Sequence, residues 1–395
     1  MKAPEKSAES ATMKICLVIG PYNPVPLALG GSVERILSTL APYFAARGHE
    51  VTLISRRFGD FPNEELTDGV RYIRLPSFDG PASKFLYRLY DYIYSRRVAK
   101  ILPASDITIT SSVFLPLILP LSRAGHIYVH VARFPKGQMW VYRRAARIQA
   151  VSESVAEEIR RQSPSVKDRV VSVPNPLCGS LALLSPPDRA PRDKTILFVG
   201  RVAREKGVHV LIEAFARVAN GPLASYRLRI VGPHEIRQQG DGEGYLAELK
   251  ALAAPVHDRV TFEGPVFDPD ALRAIFLEGD IFVYPSLAEL GEAFGVAPLE
   301  AMAARCRVIV SNLDCFREYV KPGHNAIVFD HRTDPVGSLV DALTTMVGDP
   351  GTEKMRSTGV ATAAQFQPEH IADLFLEDFE RLLHVDQPVP AACRS

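Results

Sequence analysis

YPSLAELGEAFGVAPLEAMAA, residues 284–304, runs from a strand end through a glycine-flanked acidic loop straight into a helix. Glu292 follows Gly291 on that loop, Gly295 closes it, and Glu300 lies on the helix beyond. Open parallel sheets build polar ligand sites this way, because the first N–H groups of the helix are unpaired and glycine lets a ligand approach the backbone. With a helix starting near Gly295, Glu300 falls in its second turn and faces the place where Glu292 sits. Two carboxylates so placed can each accept hydrogen bonds from vicinal hydroxyls, which ribose and hexose rings present. Glutamates spaced by eight also arise by chance, so the pair needs support from the rest of the chain.

Outward from this stretch, short apolar runs alternate with longer amphipathic ones. TILFVG (195–200), YRLRIVG (226–232), RVTFEG (259–264), DIFVYPS (280–286), RVIVSN (307–312) and NAIVFD (325–330) read as strands. Helices are expected over 207–219, 244–254, 269–277, 296–304 and from 335 to about 384. The first half has the same rhythm, with strands at 14–20, 50–55, 70–76, 106–112, 126–132, 147–152 and 170–175 and helices at 32–48, 83–102 and 152–163. Gly48 is placed to stop the first helix and Ser152 to cap the third. Continuous apolar strands between helices imply doubly wound sheets covered on both faces, and no hairpin is expected.

Residues 174–194 break the alternation with five prolines and mark a linker. The expected organisation is a loose tail over 1–13, one Rossmann-like domain over 14–180, a linker over 181–194, a second Rossmann-like domain over 195–365, and a C-terminal helix and tail over 366–395 that packs back on the first domain. A chain of 395 residues exceeds what one core supports, in keeping with two domains. Its five cysteines, Cys16, Cys178, Cys306, Cys315 and Cys393, form no CxxC or Cys/His pair, which argues for a reducing, cytoplasmic setting and against a zinc site. The N-terminus has no apolar core, and the apolar run 113–121, broken by Pro116 and Pro120, falls far short of a bilayer span.

A net charge of +1 hides an asymmetry. Residues 1–185 hold 24 Lys+Arg against 15 Asp+Glu, and the remainder 22 against 30. A basic half suits anionic lipid, an anionic carrier-linked substrate or nucleic acid, and complementary charge between two domains explains it equally well. No nucleic-acid module accompanies it.

Two further turns carry chemistry. Gly30-Gly31-Ser32, after the first strand, can cradle an anion or a hydroxyl, or serve only a tight turn; it is not GxGxxG, and the second strand ends at Ser55-Arg56-Arg57 without the acid of a dinucleotide site. Arg201, Arg204 and Lys206 gather just before Gly207 opens a helix, so fixed cations and a positive helix end converge as a diphosphate requires; a solvated charged loop has the same composition. His130 ends a buried strand at the same carboxyl edge as Gly31, where it serves either a site or the core.

In order and spacing, FVGRV…EKG, RVTFEGPV, DIFVYPS and GEAFGVAPLEAMA resemble the retaining glycosyltransferases of family 4, and GGSVERI, HEVTLIS and AVSESVAEEI…VPNP match more loosely. The resemblance implies an α/β, GT-B fold, two Rossmann-like domains facing a central cleft. It also implies a metal-independent transfer with no cofactor, the nucleotide-diphosphate sugar being co-substrate. Arg201 and Lys206 then hold the diphosphate, Glu300 the ribose hydroxyls and Glu292 the transferred sugar, with Phe294 and Gly295 giving backbone N–H groups. Pro265 and Val266 pack the base, while Gly31 and His130 close from the opposite domain. The family commonly has Gly and Pro after LEAMA where this chain has Arg305-Cys306-Arg307, a change that could add positive charge near the donor.

The implied activity is transfer of a sugar to a glycan, lipid-linked or small-molecule acceptor in cell-surface polysaccharide or glycoconjugate synthesis. An epimerase or hydrolase of the same fold, or a non-catalytic sugar-nucleotide binding protein, is the alternative. SKFLYRLYDYIYSRRVAK (83–100) and RFPKGQMWVYRRAARI (133–148) interleave basic residues with aromatics, which suits peripheral association with an anionic inner membrane face or a solvated helix packed on the sheet.

Overall fold

The computed structural model describes residues 11–26, 31–81, 83–179 and 193–385. Most of the expected tail over 1–13, most of the linker over 181–194, Cys393 and the end of the chain lie outside the described residues.

The first sheet contains β1 (Lys14–Val18), β2 (Glu50–Arg56), β3 (Glu64–Thr67), β4 (Val70–Leu75), β5 (Ile107–Thr110), β6 (His126–Val131), β7 (Arg147–Ala150) and β8 (Val170–Ser172), in the order β3-β4-β2-β1-β5-β6-β7-β8. All its pairs are parallel except β3/β4. Helices α1 (Ser32–Ala46), α2 (Lys84–Ile101), α3 (Leu115–Ile118), α4 (Leu121–Ala124) and α5 (Glu153–Gln162) connect the strands. Ser152 Oγ caps α5 by accepting the N–H of Val155, and Ser83 does the same for α2.

The second sheet contains β9 (Thr195–Val199), β10 (Arg227–Val231), β11 (Val260–Gly264), β12 (Ile281–Tyr284), β13 (Arg307–Ser311) and β14 (Ile327–Phe329), ordered β11-β10-β9-β12-β13-β14 and wholly parallel. Around it lie α6 (Val208–Val218), α7 (Gly242–Leu252), α8 (Pro269–Glu278), α9 (Val296–Ala303), α10 (Pro335–Gly348) and α11 (Lys354–Ala363). The four residues of β12, IFVY, are all buried, which is why this strand reads as an unbroken apolar run; the four of β5, ITIT, are buried as well.

Helix α12 (Pro368–Val385) lies against the first domain. Phe375 and Phe379 set their rings 6.3 and 5.9 Å from that of Phe44 on α1, and Arg47 meets Asp373 at 2.9 Å.

In two places the structure differs from the sequence-based expectation. A hairpin is present: Thr67 pairs with Val70 across Asp68 and Gly69, whose φ of 50° and 75° make the left-handed two-residue turn that Asp-Gly favours. Its β3 arm, EELT, is a polar and mostly exposed edge strand without an apolar run.

The Arg305-Cys306-Arg307 turn is also not near the cleft. Helix α9 starts at the carboxyl edge of the sheet and ends at the amino edge, where β13 begins. There the Arg307 guanidinium is buried against Asp280 Oδ2 at 2.8 Å and donates to the Met346 carbonyl, also at 2.8 Å. Burial pushes the Asp280 carboxyl up, but Arg356 and Arg307 outweigh it and hold it below the usual carboxylate range. Cys306 N–H reaches the Ala301 carbonyl and Arg305 N–H that of Met302, both at 2.9 Å, which makes Arg305 the left-handed residue of a Schellman cap at φ 63°.

A side chain in that conformation costs about 1–2 kcal/mol, part of which a glycine returns through chain entropy. Arg305→Gly is therefore expected to raise the free energy of unfolding by about 0.5–1 kcal/mol in denaturant titration. A lower value would show that the arginine side chain outweighs the strain.

Candidate functional site

Both sheets reverse their strand order at one point, between β1 and β5 in the first and between β9 and β12 in the second. Crevices for ligands open outside the carboxyl ends of strands at such points. The turns singled out in the sequence follow β1, β6, β9, β11 and β12, so all of them emerge at carboxyl ends.

After β9 the chain makes a short 3₁₀ turn, Arg204–Lys206, and Gly207 then starts α6 with φ 67°. A Cβ on Gly207 would stand 2.0 Å from the Pro285 carbonyl oxygen, so only glycine lets this turn lie on the loop after β12. Leu287 N–H donates to the Glu205 carbonyl at 2.8 Å and fastens the two loops together. The result brings residues 86 positions apart into contact: Lys206 Nζ donates to Glu292 Oε2 at 2.6 Å. The same carboxylate oxygen accepts from Tyr284 Oη at 3.1 Å and Ser286 Oγ at 3.2 Å.

The pair is nearly enclosed, with side-chain exposures of 7% and 10%. Burial opposes the Lys206 ammonium, but Tyr284 and Glu292 outweigh it and raise its pKa, so the charge is held firmly. Arg201 lies close enough to act on Lys206 electrostatically. It donates to Glu205 Oε1 and to the Gln239 carbonyl, both at 2.6 Å.

Gly295 starts α9 at φ 73°, where a Cβ would meet the Phe316 ring at 2.5 Å. Phe294 is buried between Tyr319 and Phe366, and Tyr319 Oη donates to the Gly295 carbonyl at 2.5 Å. Glu300 is 3% exposed, and its partner comes from the other domain: Arg35 of α1 forms an ion pair with it. Gly31 starts α1 with the Glu34 carboxylate and Asn23 amide packed behind it.

His130 is buried, with Nδ1 bonded to Gln149 Oε1 and Nε2 without a partner among the described residues. Burial drives its pKa down to about 4, so the ring is neutral at ordinary pH. None of its hydrogen bonds among the described residues reaches Lys206 or Glu292. Pro265 and Val266 follow β11 and are partly exposed. A cavity of about 500 Å³ beside them is lined by Gly264, Gly232, His234 and Lys250.

A second cavity, of about 330 Å³, opens between the domains. Glu292, Leu290 and Cys315 line it from one side, and Phe134, Ser154 and Arg161 from the other. Glu292 therefore faces the cleft. Above that cavity Ser152 Oγ ties the domains by donating to the Ala293 carbonyl at 2.7 Å.

Four contributors escaped the sequence reading. Tyr284 and Ser286 stood inside the quoted stretch but were read only as a strand end, and Glu205 was passed over between two cations. Arg35 sat in GGSVERI, which was read for its glycines, and nothing local announces a partner on another domain.

Comparisons with known proteins agree with this architecture. Residues 193–349 match the model for glycosyl transferases group 1, and residues 30–177 match that for glycosyltransferase family 4. The Bacillus subtilis protein YtcC, which carries a glycosyltransferase name, is 25% identical over 348 residues, covering 82% of this chain and 81% of that protein. Sucrose-phosphate synthase from Thermosynechococcus elongatus superposes with a TM-score of 0.75 at 20% identity, over 94% of this chain and all (100%) of that one. Anabaena HepE, solved in complex with UDP-glucose, gives 0.70 at 17% identity, over 93% and 100% of the two chains. These structural likenesses establish the shared fold, GT-B. With both halves matched by family models, the chain belongs to the group 1, family 4 glycosyltransferases, which transfer sugars from nucleotide sugars.

Proposed function

We propose that the chain is a retaining, metal-independent transferase that moves a sugar from a nucleotide-diphosphate sugar to a glycan, lipid-linked or small-molecule acceptor. The carrying observation is the Lys206–Glu292 pair at 2.6 Å, buried at the switch point of the second sheet and open to the interdomain cavity. It sets a fixed cation beside a carboxylate whose oxygens suit sugar hydroxyls. Cell-surface polysaccharide or glycoconjugate synthesis is the setting that fits such an acceptor range.

In this reading the acceptor oxygen attacks the anomeric carbon from the face the nucleotide leaves. The bond from that carbon to the phosphate oxygen breaks as the new one forms, and the acceptor proton passes to a phosphate oxygen of the leaving diphosphate. Configuration is thereby kept. Negative charge builds on the diphosphate, where Arg201, Lys206 and the N-terminal N–H groups of α6 meet it. Glu292 and the backbone at Phe294 and Gly295 hold the sugar, Glu300 the ribose, and Pro265-Val266 the base beside the 500 Å³ cavity. Gly31 and neutral His130 close from the first domain, the free Nε2 of His130 being able to take part in a hydrogen bond with a sugar hydroxyl.

The acceptor side of the molecule carries an unusual helix end. Residues 84–89, the first turns of α2, are all exposed, with Phe85, Leu86 and Leu89 beside Lys84 and Arg88. Trp140 is 62% exposed. Only the later turns of α2 pack inward, through Tyr94, Ser95 and Val98. No helix among the described residues is long and apolar enough to cross a membrane. Basic residues mixed with protruding apolar ones are what an anionic bilayer surface attracts, and a lipid-linked acceptor would be presented there, on the cytoplasmic face.

Incubation with a panel of nucleotide sugars, with and without acceptors and with and without chelator, tests the activity. Transfer with retained configuration and chelator insensitivity is expected, whereas acceptor-independent turnover would indicate an epimerase or hydrolase and binding alone a non-catalytic protein. Lys206→Ala should lower turnover about a hundredfold or more, because a lost transition-state contact of this kind costs about 3 kcal/mol. Near-normal transfer by that folded variant would sink the assignment.

His130 sets a pH signature. Its pKa is about 4 in the fold against 6.5 for a free imidazole, so the unfolded chain binds the extra proton between those values and stability rises with pH across that window. On acidification the wild type should lose up to about 3 kcal/mol through this group, a loss that His130→Gln lacks. Equal acid slopes in the two proteins would refute the neutral, desolvated ring.

At low salt the protein is expected to co-sediment with vesicles containing anionic lipid, and Phe85→Ser together with Trp140→Ser to release it. Wild-type protein left in the supernatant would remove the membrane from the proposal.

A further inference from the structure

Glu300 is the carboxylate assigned above to the ribose, yet it already has a partner within the protein. The Arg35 guanidinium, from the first turns of α1, crosses from the first domain to ion-pair with it. The Glu300 side chain is 4% exposed and that of Arg35 30%, so the acid is fixed in the protein while the base has solvent on one side and room to swing away. A second hold on Arg35 is slight, a 3.4 Å contact from its Nη2 to the Cys178 carbonyl.

An ionised carboxylate buried to that degree needs a counter-charge or hydrogen-bond donors. Arg35 supplies the first; a cis-diol would supply the second. The ion pair is made at Glu300 Oε1, so a diol that spans both carboxylate oxygens competes with Arg35 for that one. Other hydrogen bonds between the domains run from Ser152 Oγ to the Ala293 carbonyl at 2.7 Å and from Glu153 N–H to the Glu318 carboxylate.

We infer that Arg35 is a clasp which ties the two domains across the cleft through Glu300, and that the ribose diol of an entering nucleoside diphosphate displaces it. The inference rests on the donor reading for the second step only. A residue in this position is a competitor of the ligand, which gives its removal the opposite sign from the removal of a substrate contact. A ligand that must break a contact binds more weakly by that contact's worth, so deleting Arg35 tightens binding. The gain resides in the diol, because a sugar without 2′- and 3′-hydroxyls has no claim on Glu300.

Small-angle X-ray scattering on the ligand-free protein tests the clasp without any nucleotide. Arg35→Ala and Glu300→Gln should both increase the radius of gyration over wild type, the second variant guarding against a folding defect in the first. An unchanged radius in both would overturn the clasp. Calorimetric titration with UDP, GDP and ADP tests the displacement. The nucleotide that binds should bind Arg35→Ala about fivefold or more tighter than wild type, and its 2′,3′-dideoxy analogue should bind the two proteins equally. Weaker binding by Arg35→Ala would overturn the displacement alone. No binding of any of the three to wild type would overturn the donor reading and the displacement with it, leaving the scattering result to decide the clasp.

Discussion

A buried ammonium has to find a carboxylate, and the Lys206–Glu292 pair meets that demand at the one place where two loops from different parts of the chain come together. Strands β9 and β12 are neighbours only because the sheet grows in opposite directions from them. Their carboxyl ends therefore share an edge, and the turn after one must lie on the loop after the other. The 2.0 Å approach that a Cβ on Gly207 would make to Pro285 measures how close that stacking is. Tyr284 and Ser286 donate to the same Glu292 oxygen that Lys206 holds, so the charge pair is oriented as well as neutralised. Buried ion pairs contribute little to net stability, and what this one supplies is position.

Much of this was legible in the residues. Runs such as TILFVG and DIFVYPS are apolar without alternation because strands in the middle of a covered parallel sheet have no wet face. Gly207, Gly295 and the glutamate spacing announced the two helix starts because left-handed and crowded backbone positions leave a compositional mark. The Asp68-Gly69 turn left its mark too, but its strand EELT did not: an antiparallel edge strand facing water needs no apolar residues, and periodicity is silent about it.

Arg305-Cys306-Arg307 was misplaced for a geometric reason. Glu292, Glu300 and Arg305 are close in sequence, but a helix that begins at the carboxyl edge carries its end to the amino edge, so the site is left behind within two turns. The departure from the family pattern thus lies at the floor of the sheet, where Arg307 and Arg356 share Asp280, and not at the cleft. Arg35 was beyond reach for the opposite reason. Its partner is remote in sequence and on another domain, and only the closing of two sheets on each other makes them neighbours.

The cations and carboxylates of the cleft are already matched. Lys206 is with Glu292, Arg201 with Glu205 and Arg35 with Glu300, so these charged groups are spent on one another. A neutral sugar entering alone forms hydrogen bonds to carboxylates but must compete with cations for them. On the donor reading proposed above, a nucleotide sugar brings an anion for Lys206 together with a hydroxyl for Glu292, and so re-satisfies both members of that buried pair at once. On the same reading a free sugar leaves Lys206 unmatched and a bare diphosphate leaves Glu292 unmatched, which favours the whole donor over its parts. In a pair as enclosed as Lys206–Glu292, an unmatched charge costs more than a new hydrogen bond returns.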